Sequence, residues 1–358
     1  MSHPVQPPAA GSSEAPVDDP YWRQTMAPYA TPNLARTVLD IFTSAVPFVA
    51  FWALMYLALD VSYWLVLALS VPTAGFLLRT FILFHDSTHG SIFHSRAANL
   101  WAGRIFGLMT FQCFANWRHH HAFHHGSAGD LDRRGTGDVT TWTVEEYYSK
   151  PWLSRLGYRL FRHPLIMFGI GPLWSLVIGP RVWANAKSKK LRNSILLTNV
   201  AVAAMIAVPC ILLGWREVLL IEAPLVLLAG TVGVWLFFVQ HQFEDVYWET
   251  GTTWDYTEAA LRGSSYLKLP QPLQFFTGNI GLHHVHHLSA RVPNYNLQRA
   301  HDENEVFHQV PVLTLRNSLR CSRLKLWDER SKSLVTFAEG RASLASSPAG
   351  RPASAASA

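Results

Sequence analysis

Residues 62–90 read SYWLVLALSVPTAGFLLRTFILFHDSTHG, an apolar run that leads directly into two histidines, His85 and His89. Its apolar part, residues 62–84, makes a helix of roughly 35 Å at about 1.5 Å per residue. That length crosses a hydrocarbon layer about 30 Å thick with some tilt. The stretch therefore predicts a membrane-spanning helix that carries two imidazoles at one end.

Three further runs have similar length and apolarity, namely residues 37–59, 194–213 and 217–239. Short links at residues 60–61 and 214–216 join the four runs in pairs, so each pair should form a hairpin. Residues 100–114 are short for a crossing, and residues 164–180 are rich in Gly and Pro, so these stretches could be short spans, re-entrant pieces or interfacial helices. The predicted fold is an all-α integral membrane protein with four transmembrane helices in two hairpins plus interfacial helices.

The composition excludes several other classes of protein. Apolar residues make up 49% of the chain and charged residues only 15%, whereas about 25% is usual in soluble domains. A disordered chain would be polar and poor in aromatic residues. Three cysteines, Cys113, Cys210 and Cys321, cannot build a disulfide framework and are expected to be unpaired. A net charge of +6 spread over apolar segments does not suit nucleic-acid binding.

Basic residues are concentrated before the third run and after the fourth, while the hairpin tips carry only Arg216. By the positive-inside rule, both termini and residues 87–193 should face the cytoplasm. Residues 21–310 are expected to form a single membrane domain. Residues 311–337 are expected to form an amphipathic helix, either on the membrane surface or packed on the catalytic domain. Residues 1–20 and 338–358 have the composition of disordered tails.

The chain has 17 histidines, far more than packing requires, and nine of them lie in four clusters beside the ends of the predicted spans. His85 and His89 are four residues apart, which places both rings on one helix face. The stretches HAFHH, beginning at His121, and HHVHH, beginning at His283, both have histidines at i, i+3 and i+4. The nine are His85, His89, His121, His124, His125, His241, His283, His286 and His287.

Such a set of imidazoles indicates a metal site, because neutral imidazole is the commonest metal ligand. Nine ligands suit two metal ions with four or five each and are too many for one zinc ion. An all-nitrogen set suits iron, copper or zinc, and iron is preferred for an oxidative reaction because zinc cannot supply electrons. If all clusters meet, they lie on one side of the membrane, so neither residues 100–114 nor residues 164–180 can cross it once.

The three boxes that begin at His85, His121 and His283 resemble those of the membrane fatty acid desaturase superfamily, most closely its bacterial and plastid acyl-lipid branch. The resemblance covers residues 22–307 and extends to the flanking stretches FHDSTHGS (84–91), GDLDRRG (129–135), QHQFED (240–245) and residues 281–295. It implies a cytoplasmic histidine-rich domain with a di-iron centre (Fe²⁺/Fe³⁺) whose ligands are the histidines of the boxes.

His241 fits the additional ligand that this superfamily has upstream of the third box. His119 and His120 could compete with His121 as the first ligand of the second box, and His284 is expected beside the site or on the surface. His3, His94, His163, His301 and His308 receive no role. Asp86, Glu244 and Asp245 are candidates to accept hydrogen bonds from the ligand rings. No substrate-binding residue is identified, and residues 126–141 could position a head group or an electron donor, or form a surface loop.

The resemblance implies an oxidoreductase of a bacterial-type inner membrane that introduces a cis double bond into a fatty acyl lipid or thioester. It would use dioxygen and an external donor such as a ferredoxin, a flavodoxin or a cytochrome. Lipid hydroxylases and carotenoid ketolases or hydroxylases share the boxes and remain the alternative. A histidine-rich metal transporter or a membrane haem protein is a distant alternative. A transporter places ionisable ligands at mid-membrane, and a haem protein needs isolated axial histidines inside the spans, whereas these clusters lie beside the span ends.

Overall fold

The computed structural model describes residues 21–135, 137–183, 186 and 188–346. The α-helices are, in chain order, α1 (Tyr21–Met26), α2 (Leu34–Ala58), α3 (Tyr63–His89), α4 (Arg96–Met109), α5 (Phe114–His125), α6 (Val144–Ser149), α7 (Trp152–Phe161), α8 (Lys189–Leu213), α9 (Trp215–His241), α10 (Tyr256–Arg262), α11 (Gln271–Phe276), α12 (His283–Leu288), α13 (Asn294–Asp302), α14 (Leu315–Cys321) and α15 (Phe337–Ala345). The short strands are β1 (Trp142–Thr143), β2 (Tyr266–Lys268), β3 (Val312–Thr314), β4 (Leu326–Asp328) and β5 (Ser333–Val335).

Four helices within these residues, α2, α3, α8 and α9, are long and apolar enough to cross a membrane. The prediction of an all-α membrane protein with four spans in two hairpins is therefore confirmed. Side-chain caps begin two of the spans: Asn33 accepts from the Arg36 N–H at the start of α2, and Ser188 accepts from the Leu191 N–H at the start of α8. Gly214 separates α8 from α9. Helices α3 and α9 extend past their predicted ends, so His85, His89 and His241 lie in the last turns of spanning helices.

Helix α3 occupies the centre of the bundle and contacts α2, α4 and α9. Its buried residues are most frequent in its last three turns, around Leu83, Phe84 and Asp86. By contrast, α8 is buried at few positions and exposes large apolar side chains such as Leu197 and Ile211. Because exposed apolar surface of this extent suits a bilayer and not water, the outer faces of the spans are lipid-facing.

Helix α7 and the stretch Ile166–Arg181 form a bent pair at 57°. Residues Ile166–Ile170 and Leu173–Ile178 are π-helical, a conformation that is frequent at functional sites. The second and third histidine boxes meet in the structure, so the chain between them should cross the membrane an even number of times. Because α8 and α9 provide two crossings, the bent pair is expected to return to the side from which it enters. Helix α4, with 14 residues, is likewise too short for a crossing.

The C-terminal region differs from its prediction. Residues 311–337 contain β3, α14, β4 and β5 in place of one amphipathic helix. Strand β4 pairs parallel to β1 and antiparallel to β5, and β3 pairs parallel to β2. The apolar residues of β4 and β5, such as Trp327 and Leu334, are buried against the protein, with the Trp327 and Trp248 ring centroids 6.1 Å apart, whereas Leu319 of α14 is exposed. Distant strand partners, which the local pattern does not reveal, stabilise this arrangement.

Helix α15 occupies part of the predicted C-terminal tail. A capping box, in which Thr336 and Glu339 satisfy each other's backbone N–H groups, begins this helix. The tail prediction is therefore wrong for residues 338–345, while residues 1–20 and 347–358 lie outside the described part of the chain. Cys113, Cys210 and Cys321 are free, as predicted.

Candidate metal centre

The nine histidines that the sequence singled out come together where α3 and α9 end, beside α5 and α12. They form two groups, and within each group one ligand nitrogen of every residue lies within 4.8 Å of the others. The five-histidine group contains His85, His89, His121, His125 and His286. The four-histidine group contains His124, His241, His283 and His287.

Helices α5 and α12 each contribute to both groups. On α5, His121 and His125 belong to the five-histidine group and His124 belongs to the other. On α12 the division is reversed, because only His286 joins the five-histidine group. The groups are neighbours as a result, and the rings of His125 and His287 stack with centroids 4.2 Å apart.

The Nε2 atoms point toward one another within each group. In the five-histidine group, His121 Nε2 lies 3.0 Å from His85 Nε2 and 3.1 Å from His125 Nε2. In the four-histidine group, His241 Nε2 lies 3.1 Å from His124 Nε2 and 2.9 Å from His283 Nε2. A neutral ring has only one N–H, so these converging nitrogens cannot all be paired with each other. A shared cation would satisfy their lone pairs.

Two further observations fit a metal ion. His89 Nε2 is buried and has no hydrogen-bond partner among the described residues. Burial, and secondly the neighbouring histidines, hold the pKa values of His121, His283, His286 and His287 well below the usual value. These rings are therefore neutral at pH 7, which is the form that binds a metal.

The other ring nitrogen is fixed on three of the histidines. His85 Nδ1 lies 2.9 Å from Asp86 Oδ1, which is the position predicted for Asp86. His124 Nδ1 bonds to the Asp138 carboxylate, and His241 Nδ1 donates to the Gly263 carbonyl at 3.1 Å. Such contacts fix the tautomer and direct Nε2 toward the centre of each group, as they do in metal sites.

Glu244 and Asp245 do not occupy the positions predicted for them. Helix α9 ends at His241, and both carboxylates are exposed beyond it. Asp138 and the Gly263 carbonyl fill that role, and sequence reasoning missed both because they are distant from their histidines along the chain. Gly137 permits the approach of Asp138 to His124. Its φ is +77°, and a Cβ added at this position would lie 2.9 Å from His124 Cβ, so a larger residue would not fit.

The remaining histidines lie outside both groups. His119 is exposed and His120 half-buried, so His121 is the residue of the second box that faces the centre. His284 is buried, and its Nε2 lies 3.0 Å from His301 Nδ1. His94, His163 and His308 are exposed, and His3 lies outside the described residues.

A cavity of about 810 Å³ begins at the histidines and continues between α3, α9 and the π-helical turns. Its wall includes His85 and His121 of the five-histidine group and His283 of the four-histidine group. Farther from the histidines the wall is apolar, formed by residues such as Leu77, Phe81, Ile170, Trp174, Val226 and Ala229. Val226 precedes His241 by about 22 Å along the helix axis, at 1.5 Å per residue. A long apolar cavity that ends at polar ligands has the shape and chemistry to take a hydrocarbon chain.

A family model described as "Fatty acid desaturase" matches residues 62–312 of the chain. The chain is 45% identical over 312 residues to the "Fatty acid desaturase" of Bacillus subtilis (strain 168), covering 87% of this chain and 89% of that protein. It is 27% identical over 254 residues to an "sn-1 oleoyl-lipid 12-desaturase" of Synechocystis, covering 70% of this chain and 71% of that protein. An "sn-1 acyl-lipid omega-3 desaturase (ferredoxin)" of Synechocystis is 26% identical over 239 residues, 62% of each chain.

Proposed function

Because the chain belongs to the fatty acid desaturase family, an oxidoreductase family, we propose that it introduces a cis double bond into the acyl chain of a membrane lipid. The observation that carries this proposal is the apolar cavity whose inner end is lined by histidines of both groups. The relatives named as acting on oleoyl-lipid and acyl-lipid support a lipid, and not a thioester, as the substrate.

Two iron ions are the cofactor that best fits the donor set. The five-histidine group would hold one ion and the four-histidine group the other. The ligands are all nitrogens enclosed in the protein, and burial lowers the pKa values of His121, His286 and His287, which keeps these rings neutral. When bound, the iron pair supplies the activation of dioxygen and the removal of hydrogen from an unactivated methylene.

The chain's own residues would bind and position the acyl chain. The apolar wall of the cavity takes the methyl end of the chain and excludes water. The methylene that reacts lies where His85, His121 and His283 line the cavity. Asp86, Asp138 and the Gly263 carbonyl keep the ligand rings oriented during the reaction.

Electrons would come from a ferredoxin or another small donor, as the name of one relative supports. Such a donor would dock on the side of the membrane that carries the histidine groups. Lys189, Lys190 and Arg192 lie in the first turn of α8, at the end of that hairpin nearest the histidines, and Arg181 precedes this helix. By the positive-inside rule, this side is the cytoplasm.

Expression in a bacterium whose lipids are saturated tests the proposed function. With iron and a reductant present, we expect a new cis-monounsaturated acyl chain in the membrane lipids, identified by mass spectrometry with double-bond location. An empty vector serves as control. A hydroxylated product would support the hydroxylase alternative, and lipids unchanged by a protein that is present and loaded with iron would contradict the proposal.

Replacing Gly233 with leucine tests the assignment of the cavity to the acyl chain. Gly233 lines the cavity, and among the described residues only Leu78 Cδ1, at 3.9 Å, lies within 4 Å of the position of an added Cβ. The new side chain would enter the cavity about 12 Å from His241 along α9, at 1.5 Å per residue. We expect chains with a long methyl end to be disfavoured by about tenfold or more, measured as the product distribution by mass spectrometry.

The matched control is Gly157→Leu, because Gly157 is exposed on α7 and no atom of the described part of the chain lies within 4 Å of an added Cβ. Its product distribution should equal that of the wild type. An unchanged distribution for Gly233→Leu, at normal expression, would show that the acyl chain lies elsewhere.

A further inference from the structure

Asn294, the first residue of α13, connects the first histidine box with the segment that follows the third. Its backbone N–H donates to Asp86 Oδ2 at 2.8 Å, and its side-chain amide lies 3.1 Å from the same oxygen. The other oxygen of Asp86, Oδ1, lies 2.9 Å from His85 Nδ1. Asp86 is thereby held on one oxygen by Asn294 while its other oxygen faces a histidine of the five-histidine group.

The same amide also binds Asp40, on α2. Asn294 Nδ2 donates to Asp40 Oδ2 at 2.8 Å, and Asp40 Oδ1 forms an ion pair with Arg79 on α3. The Arg79 guanidinium lies 4.0 Å from the centroid of the Phe275 ring. Asn294 is thus bonded to both helices of the first hairpin, to α2 through Asp40 and to α3 through Asp86.

Few side chains could replace asparagine here. Asp40 and Asp86 are both buried, and each presents one carboxylate oxygen to the same amide nitrogen. A neutral group with two N–H bonds serves both oxygens at once. An aspartate of the same shape would place a third acceptor between them, and an alanine would leave the Asp40 oxygen without this donor in a buried place.

We propose that Asn294 is a positioning residue of the metal centre: it fixes the rotation of the Asp86 carboxylate, and through Asp86 it sets the orientation of the His85 ring. The inference rests on the proposed function, since it takes the five-histidine group as the site of one of two metal ions. The effect of Asn294 should be confined to the five-histidine group, because no such connection runs from Asn294 to the rings of the four-histidine group among the described residues. Replacing Asn294 should therefore weaken the binding of one metal ion and leave the binding of the other unchanged.

Co²⁺ titration of the metal-free, full-length protein in detergent tests the proposal. We expect the wild type to bind two Co²⁺ ions with the absorption of cobalt bound to nitrogen ligands. Asn294→Ala should bind one ion as the wild type does and the second about 10- to 100-fold more weakly, the usual effect of losing an outer partner of a ligand. Asn294→Asp should weaken that ion at least as much.

Asn296→Ala is the matched control. Asn296 is also a buried asparagine of α13, but its side chain donates to the Tyr29 carbonyl at 2.9 Å and does not contact Asp86. This variant should bind both ions as the wild type does. If Asn294→Ala is not obtained as a folded protein, Asn294→Ser, which keeps one donor, should still weaken one ion selectively.

The possible outcomes separate the inference from the proposed function. Two ions bound by Asn294→Ala with wild-type affinity, or two ions weakened equally, would overturn the positioning role. A wild-type protein that binds no metal would instead contradict the proposed di-metal function itself.

Discussion

Replacing His286 with alanine is expected to abolish the desaturated lipid and to remove metal from the five-histidine group. His286 is the only residue of α12 in that group, and its Nε2 lies 3.1 Å from His125 Nε2. Its ring also approaches that of His85, with centroids 4.4 Å apart. Without this ring, α12 contributes no ligand to the five-histidine group. The ion bound there would lose one of its five histidines. Iron per purified chain and lipid composition by mass spectrometry measure the two effects.

His284→Ala is the control for this experiment. His284 lies on the same helix and is equally buried, but its Nε2 bonds to His301 and not to either group. We expect this variant to retain both metals and to lose stability by about 1–3 kcal/mol, the usual cost of an unsatisfied buried group. The assignment of ligands would be wrong if His284→Ala lost as much metal as His286→Ala.

The spacing of the histidines could predict which residues meet but not how they divide between two ions. In both boxes with i, i+3 and i+4 spacing, the residues at i and i+4 join one group and the residue at i+3 joins the other. A helix presents all three rings on one broad face, which the sequence pattern indicates. The division depends on how α5 and α12 lie relative to α3 and α9, and this is set by tertiary packing.

The groups that orient the rings were predictable only where they are neighbours in sequence. Asp86 adjoins His85 in the sequence, and its Oδ1 lies 2.9 Å from His85 Nδ1. Glu244 and Asp245 follow His241 in the sequence, yet α9 ends there and both are exposed. Asp138, in contrast, lies 14 positions after His124 in the sequence, and the backbone conformation of Gly137 permits their contact. A contact of that kind depends on loop geometry, and no periodicity in the sequence reports it.

Arg162, at the end of α7, is expected to make a large contribution to stability because it joins three separate segments. Its side chain is fully buried and donates to the Thr140 carbonyl at 3.1 Å, to Gln242 Oε1 at 2.8 Å and to the Leu324 carbonyl at 3.0 Å. It also lies 5.6 Å from the centroid of the Phe238 ring, a cation–π arrangement. Two of these segments adjoin the metal centre, since Thr140 follows the loop of Asp138 and Gln242 follows His241.

Arg162→Leu should lower the free energy of unfolding by about 3–5 kcal/mol, because it leaves buried acceptors without their charged donor. It should also weaken metal binding by the four-histidine group, because His124 and His241 lie beside the segments that Arg162 connects. Arg162→Lys should recover only part of the stability, since an ammonium cannot reach the same acceptors as the planar guanidinium.

Thermal unfolding of the purified protein in detergent measures these changes. The control is Arg323→Leu, at an exposed arginine beside Leu324, and its stability should lie within about 0.5 kcal/mol of the wild type. A melting temperature for Arg162→Leu equal to that of the control would mean that the three segments hold their positions without this residue.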